Sequence, residues 1–252
     1  MALVDFQGKW VLVSGASSGI GRAVSVALSR NGARVVLMGR NQDRLSETAD
    51  LLESREHRVV SLDLEELSAI GSKVRELSRS MGRLYGLCHA AGVVETRPLS
   101  SYKIEGFQAL LNVNLISGLE LARAVCRRDV MEESGGSILF ISSIYGHIGM
   151  PGEVCYSASK GAISAAVRSM AVELARRKIT VNSVSPGFVR TPMTSSASSL
   201  LTEQQVKDIE EAHPLGPGTP EDVARVAAFL LAPQNSWITG TDVIVDGGYT
   251  AR

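Results

Sequence analysis

Trp10-Val11-Leu12-Val13-Ser14-Gly15-Ala16-Ser17-Ser18-Gly19-Ile20-Gly21-Arg22, running on through Ala-Val-Ser-Val-Ala-Leu-Ser-Arg-Asn to Gly32, reads as a strand, a tight glycine-rich turn and a helix in immediate succession. Glycines at such a turn let the backbone approach a ligand closely. The helix that follows points free N–H groups and partial positive charge toward it. A pyrophosphate fits this device, with Gly15, Gly19 and Gly21 forming the approach, Ile20 inside the turn, and Ser17 and Ser18 adding hydroxyl donors. The spacing is GxxxGxG, neither GxGxxG nor a Walker loop. No Lys-Ser/Thr pair follows the last glycine, which argues against nucleoside triphosphate chemistry.

Outward from this turn the chain repeats the same alternation. Trp10 to Val13, Arg34 to Met38, Arg58 to Leu62, Leu84 to His89, Ser137 to Ile141, Thr180 to Val184 and Val243 to Val245 read as strands, with amphipathic helical stretches between them. Several of these runs are apolar without period-two alternation, as strands buried on both faces require. The pattern predicts an α/β protein: one Rossmann-type doubly wound parallel sheet flanked by helices. No linker, repeat or charge block divides it, so residues 1–252 are read as a single domain. The segment Thr191 to Pro214, with its TSSASS tract and an amphipathic stretch near Glu203 to Glu211, breaks the alternation and is a candidate lid over a substrate.

The second strand ends Leu37-Met38-Gly39-Arg40-Asn41. An acidic side chain there would accept hydrogen bonds from the ribose hydroxyls of NAD, whereas a cation accommodates the extra phosphate of NADP. Gly39 and Arg40 therefore favour NADP (NADPH) over NAD.

Composition narrows the setting. Twenty-six basic residues balance 26 acidic ones among 252, so no global field draws nucleic acid or an anionic membrane. The first ten residues lack signal-peptide character and no apolar run reaches spanning length, so a cytoplasmic protein is expected. Cys88, Cys126 and Cys155 form no CxxC pair, and His57, His89, His147 and His213 have no tight ligand spacing; neither disulfide nor metal is expected.

Tyr156-Ser157-Ala158-Ser159-Lys160 opens a helical stretch reaching about Arg176. Tyrosine and lysine four apart share a helix face. A free phenol titrates at about 10, too high for easy proton exchange near neutrality, and a neighbouring ammonium lowers it. Upstream, a strand ends Ile141-Ser142-Ser143, which puts a hydroxyl at the strand's carboxyl end, where α/β sheets bind ligands. Ser143 there would hydrogen-bond a substrate oxygen while Tyr156 donates its proton.

With these motifs together, SGASSGIG, Asn114 within NVNL, ISS, YSASK, NSVSPGFVRTP and the terminal ITGTDVIVDGG, the chain resembles the short-chain dehydrogenase/reductase family along essentially its whole length. The resemblance implies Asn114, Ser143, Tyr156 and Lys160 as a catalytic tetrad. In it the asparagine positions a water in a proton relay to Lys160, which also holds the nicotinamide ribose. It further implies Asp63 and Leu64 at the adenine, Ala90 and Gly92 beside the cofactor ribose, and Pro186, Gly187 and Val189 at the nicotinamide end. The family lines its substrate pocket from the stretch holding Tyr145, His147, Met150 and Glu153, and it commonly forms homotetramers. Where it often has Asn-Asn-Ala-Gly, this chain has His89-Ala90-Ala91-Gly92, which removes an expected strand brace.

Within the family the look is most like 3-oxoacyl-(acyl-carrier-protein) reductases, through GRNQDRL, the tetrad and the C-terminal segment. Met131-Glu132-Glu133-Ser134 is acidic where carrier-binding reductases tend to be basic, with Arg127, Arg128, Arg176 and Arg177 as compensating cations. The expected reaction is NADPH-dependent reduction of a small-molecule ketone, carrier-linked or free, to a secondary alcohol. An oxidative alcohol or sugar dehydrogenase and a catalytically silent NADP-binding sensor or scaffold are the alternatives.

Overall fold

The computed structural model describes residues 4–53, 56–198 and 202–251. Seven strands form one sheet: β1 (Trp10–Ser14), β2 (Arg34–Gly39), β3 (Arg58–Ser61), β4 (Leu84–His89), β5 (Gly136–Ile141), β6 (Ile179–Pro186) and β7 (Asp242–Val245). All pair in parallel, in the spatial order β3-β2-β1-β4-β5-β6-β7. Every strand expected from the apolar runs is present, with ends extended by one or two residues at most in all but β3, which stops one residue short.

The reason β1 carries no alternation is visible in the core. Trp10 and Leu12 pack with Ile70, Val74, Leu121 and Val167 on one face. Val11 and Val13 pack with Val24, Leu28, Val223 and Ala227 on the other. Both faces of the strand are sealed, so both need apolar residues. The helices that do this are α1 (Gly19–Arg30), α2 (Gln42–Asp50), α3 (Leu67–Met81), α4 (Ile104–Leu111), α5 (Ser117–Val125), α6 (Val154–Leu174) and α9 (Pro220–Leu231). The two short helices α7 (Pro192–Ser198) and α8 (Glu203–Glu211) lie in the segment that broke the alternation. Residues 199–201 of that candidate lid lie outside the described residues.

Strand order reverses between β1 and β4, whose neighbours in the chain lead away to opposite sides of the sheet. The loops leaving these two strands therefore part, and a crevice opens at their carboxyl ends. Between α4 and α5 the helix widens into a π turn over Asn112–Ile116, in which the amide of Ser117 bonds the carbonyl of Asn112, five residues back. Such turns cost regular hydrogen bonding and cluster at functional sites.

Helix α9 covers α1 and is started by a capping box, with the Thr219 hydroxyl accepting from the Asp222 amide and the Asp222 carboxylate accepting from the Thr219 amide at 2.7 Å. Thr219→Ala is expected to lower unfolding free energy by about 1 kcal/mol without altering dinucleotide affinity, measured by urea denaturation and fluorescence titration.

Candidate active site

A crevice of about 340 Å3 lies along the carboxyl ends of the central strands. Its wall holds Gly15, Ser17, Ser18, Gly19, Ile20 and Gly21 from the glycine turn, Arg40 after β2, and Asp63 and Leu64 after β3. Ala90 and Gly92 after β4, Ser143 after β5, Tyr156 and Lys160 on α6, and Pro186, Gly187 and Val189 at the end of β6 complete it. Thus the residues expected to hold the cofactor converge on one cleft with Ser143, Tyr156 and Lys160; Asn114 is set behind the wall and fully buried, and Tyr145, His147, Met150 and Glu153, expected at a substrate pocket, are not among the lining residues.

The turn is built for close approach. Gly15 has φ +68°, and a Cβ there would stand 2.6 Å from the Ala91 amide nitrogen. A Cβ on Gly21 would stand 2.2 Å from the Gly15 carbonyl oxygen. Neither position tolerates a side chain. The N-cap of α1, Ser18, makes no side-chain capping bond and the first turn holds no acidic residue, so its amides remain directed into the crevice. A dinucleotide pyrophosphate fits this cradle in charge and space.

Arg40 reaches the rim with its side chain 64% exposed and 3.9 Å from the Glu65 carboxylate. The Asp63 carboxylate accepts the Glu65 amide at 3.0 Å, closing the turn before α3. Arg44, on α2, also lines this end, a second guanidinium that the sequence reading did not single out. Thr191, Met193 and Thr194, from the start of the segment read as a candidate lid, line the crevice as well. Thr194 is anchored by donating its hydroxyl to the Val189 carbonyl at 2.7 Å.

At the other end, α6 delivers Tyr156 and Lys160 one turn apart. The Lys160 ammonium donates to the Ile141 carbonyl at 2.9 Å and sits 5.5 Å from the Tyr156 ring centroid. Burial pushes Lys160 down to about 8. Burial likewise pushes the Tyr156 phenol up; the Ser143 hydroxyl opposes this, and Glu153 and Tyr145 add to it. The expectation that Lys160 would pull the phenol below its ordinary value is therefore corrected. The ammonium is spent on a backbone carbonyl over the ring, and desolvation dominates. Tyr145 meets Tyr156 edge to face at 6.3 Å.

Asn114 is held in the π turn with its amide group spanning the neighbouring loop. Its Oδ1 accepts from the Val93 amide at 2.8 Å, and its Nδ2 donates to the Val93 carbonyl at 2.9 Å and to Ser159 Oγ at 3.1 Å. A Cβ on Gly92 would lie 3.4 Å from Asn114 Oδ1 and 3.6 Å from Lys160 Nζ, so that glycine stands between the buried asparagine and the lysine at the crevice wall.

Two histidines depart from expectation. His147 faces away from the crevice, its Nε2 2.8 Å from Asp242 at the edge strand β7, where Ser164 and Ser185 also donate to that carboxylate. His89 supplies the brace that the missing asparagine took away: its Nδ1 lies 2.8 Å from Ser14 Oγ, across the β1–β4 register. Burial, then the Lys160 charge, push His89 down to about 3, so its ring is neutral near pH 7. Among the described residues no three His, Cys, Asp or Glu side chains are grouped to hold a metal. None of the described helices is long and apolar enough to cross a membrane.

A doubly wound sheet with a glycine cradle at one end of its crevice and a tyrosine, lysine and serine at the other defines a Rossmann-type oxidoreductase. The family model described as Enoyl-(Acyl carrier protein) reductase matches residues 15–250. A 3-oxoacyl-[acyl-carrier-protein] reductase of Rickettsia felis is 35% identical over 98% of both chains. A glucose 1-dehydrogenase of Gluconobacter oxydans is 35% identical over 97% of this chain and 93% of its own. Among solved structures, a short-chain type dehydrogenase/reductase from Mycobacterium marinum superposes with TM-score 0.91 at 31% identity, covering 99% of this chain and 98% of that one. A protein assigned as an NAD(P)-dependent gluconate 5-dehydrogenase from Beutenbergia cavernae, with NADP bound at low occupancy, gives TM-score 0.92 at 30% identity over 98% and 99%. The chain belongs to the short-chain dehydrogenase/reductase family. It is an oxidoreductase of that family, acting between CH–OH and C=O groups.

The buried His89 ties stability to pH. Its folded value of about 3 lies below the ordinary 6.5, so the unfolded chain binds the extra proton first and stability falls as pH drops through that interval. Between pH 7 and pH 5 the protein is expected to lose about 2 kcal/mol that a His89→Asn variant does not lose, read from denaturant unfolding at the two pH values.

Proposed function

We propose that this chain is an NADPH-dependent reductase of a ketone, with Tyr156 as general acid. The observation that carries this is the placement of Arg40 and Arg44 at one end of the crevice and of Ser143, Tyr156 and Lys160 at the other.

Bound in the crevice, a nicotinamide dinucleotide supplies the hydride. The glycine turn and the α1 amides hold its pyrophosphate, Arg40 its additional phosphate, and Asp63 and Leu64 its adenine. Ala90 and Gly92 border a ribose, and Pro186, Gly187 and Val189 face the nicotinamide end. Lys160, within reach of that ribose, keeps a positive charge near Tyr156. Ser143 and Tyr156 donate to the carbonyl oxygen as negative charge develops there, and Tyr156 gives up its proton. Asn114, beside Ser159 and one glycine from Lys160, holds the route by which Lys160 and then Tyr156 are reprotonated.

The substrate is a ketone, with a 3-oxoacyl thioester leading because the reductases of Rickettsia felis and its like are named for that chemistry. Glu132 and Glu133 are paired with Lys9 and Arg83, which balances the acidity that would repel a carrier protein. The glucose and gluconate dehydrogenases among the relatives favour the second reading, oxidation of an alcohol or sugar by the same residues. The segment of α7 and α8 is the candidate lid, since Pro192, Met193 and Thr194 line the crevice from it. A homotetramer is the proposed assembly; Val172 and Trp237 are exposed apolar side chains available to it.

Tyr156→Phe is expected to lower kcat on the preferred ketone by roughly 100-fold to 10,000-fold while the Kd for NADPH changes less than about twofold; near-normal turnover overturns the acid assignment. Arg40→Ala should raise the Kd for NADPH on the order of tenfold and leave that for NADH unchanged. A wild-type preference for NADH refutes the cofactor assignment. Tight NADPH binding with no turnover of any ketone or alcohol points instead to a silent sensor.

A further inference from the structure

The π turn that carries Asn114 needs support, because its hydrogen-bond register is displaced. In an α-helix the Ser117 amide would bond the Val113 carbonyl; here it bonds Asn112. The Val113 carbonyl is met instead by the Ser117 hydroxyl at 2.8 Å. From the sheet side the imidazole of His89 stands against the end of this turn, beside Gly118.

His89 is wedged and aimed. Its ring has no solvent exposure and stands edge to face with Phe140 at 5.8 Å. A Cβ on Gly118, directly after the π turn, would stand 2.6 Å from its Cδ2 and 2.9 Å from its Nε2. The ring therefore fills the space that this glycine leaves. Ser14 Oγ lies 2.8 Å from Nδ1 and 3.5 Å from the Ala91 amide nitrogen. With that hydroxyl accepting from Ala91 and donating to Nδ1, the ring's one proton belongs on Nε2. Nε2 is buried without a partner at full hydrogen-bond geometry, and the backbone carbonyls of Asn114 and Val113 are the acceptors that act on it. A buried donor so placed gains by drawing those carbonyls toward it, since leaving it unpaired costs about 1 to 3 kcal/mol.

We propose that His89 is a positioning residue: fixed through Nδ1 by Ser14, it presents Nε2–H to the displaced carbonyls of the π turn and so sets the register of Asn114. The inference rests on the catalytic reading of Asn114 given above. It couples the glycine-turn strand to the asparagine, through the hydrogen bonds of Ala91 and His89 with Ser14 and the approach of Nε2 to the π turn. Relaxation of that turn to α geometry would rotate Asn114 away from Val93 and Ser159.

The discriminating experiment compares His89→Gln with His89→Asn, because the glutamine amide nitrogen reaches the Nε2 position whereas the asparagine amide reaches only the Nδ1 position beside Ser14. Hydrogen–deuterium exchange over residues 110–118 is read first and needs no substrate. The asparagine variant is expected to exchange about tenfold faster there than wild type, with glutamine restoring protection. On the ketone that wild type reduces fastest, kcat is expected to fall about tenfold to a hundredfold in the asparagine variant and to recover in the glutamine one. The Kd for NADPH should hold within about twofold in both. Asparagine matching or exceeding glutamine, or kcat and cofactor affinity falling together, overturns the proposal. So does wild-type exchange in both variants. If neither variant folds, Ser14→Ala decides: faster exchange over 110–118 supports the coupling and unchanged exchange overturns it. Absence of turnover in wild type contradicts the redox reading while the exchange result still judges the role of His89.

Discussion

The structure depends on how closely two strand ends approach each other. At the carboxyl ends of β1 and β4, Gly15 lies so near Ala90 and Ala91 that no Cβ fits between them. One residue earlier, Ser14 and His89 close the gap with a side-chain hydrogen bond. The sheet order reverses at this seam, so the two chains part immediately beyond it and leave the crevice. A larger side chain at residue 15 would push the strands apart and move both the α1 amides and the Ala90–Gly92 wall. The glycine turn and the facing wall of the crevice are thus set by one backbone contact.

Burial governs the chemistry more than pairing does. Lys160 is pushed down to about 8 and Tyr156 is pushed up because both sit against the sheet and β5 rather than in water. A lysine near neutrality remains partly positive while staying able to pass a proton, whereas the rise at the phenol makes it a weaker acid that has to be offset by hydrogen bonding, as from Ser143. Glu153, buried and accepting from Thr96, is pushed above the ordinary carboxylate range and adds to the rise at Tyr156. The stretch from Ser143 to Tyr156 therefore acts on the phenol from both sides, Ser143 lowering it and Tyr145 and Glu153 raising it.

The relatives show why the family is plain and the substrate is not. Named reductases of acyl-carrier thioesters and dehydrogenases of glucose are similar to this chain to the same degree. What they have in common is a turn, a strand end and a helix face. Thr191 to Thr194 line the crevice from a segment that the alternation of strands and helices leaves free to vary.

Local chemistry was legible in the sequence. Sealed strands demand continuous apolar runs, so all seven could be found, and glycines at 15, 19 and 21 between a strand and a helix mark a tight turn. Tyr156, Lys160 and Ser143 were legible because helix periodicity and a strand end fix where they point. Other features were decided only by tertiary contact. Asn114 proved to stand behind the wall in a π turn, a register shift that Asn-Val-Asn-Leu does not announce. His147 turned to Asp242, 95 residues distant in the chain, and His89 took up the brace that an asparagine would have supplied. The direction in which Tyr156 titrates also belonged to the fold, because desolvation depends on what covers a group in space. Periodicity and backbone stereochemistry act between neighbours in sequence; burial and partner choice act between neighbours in the folded chain.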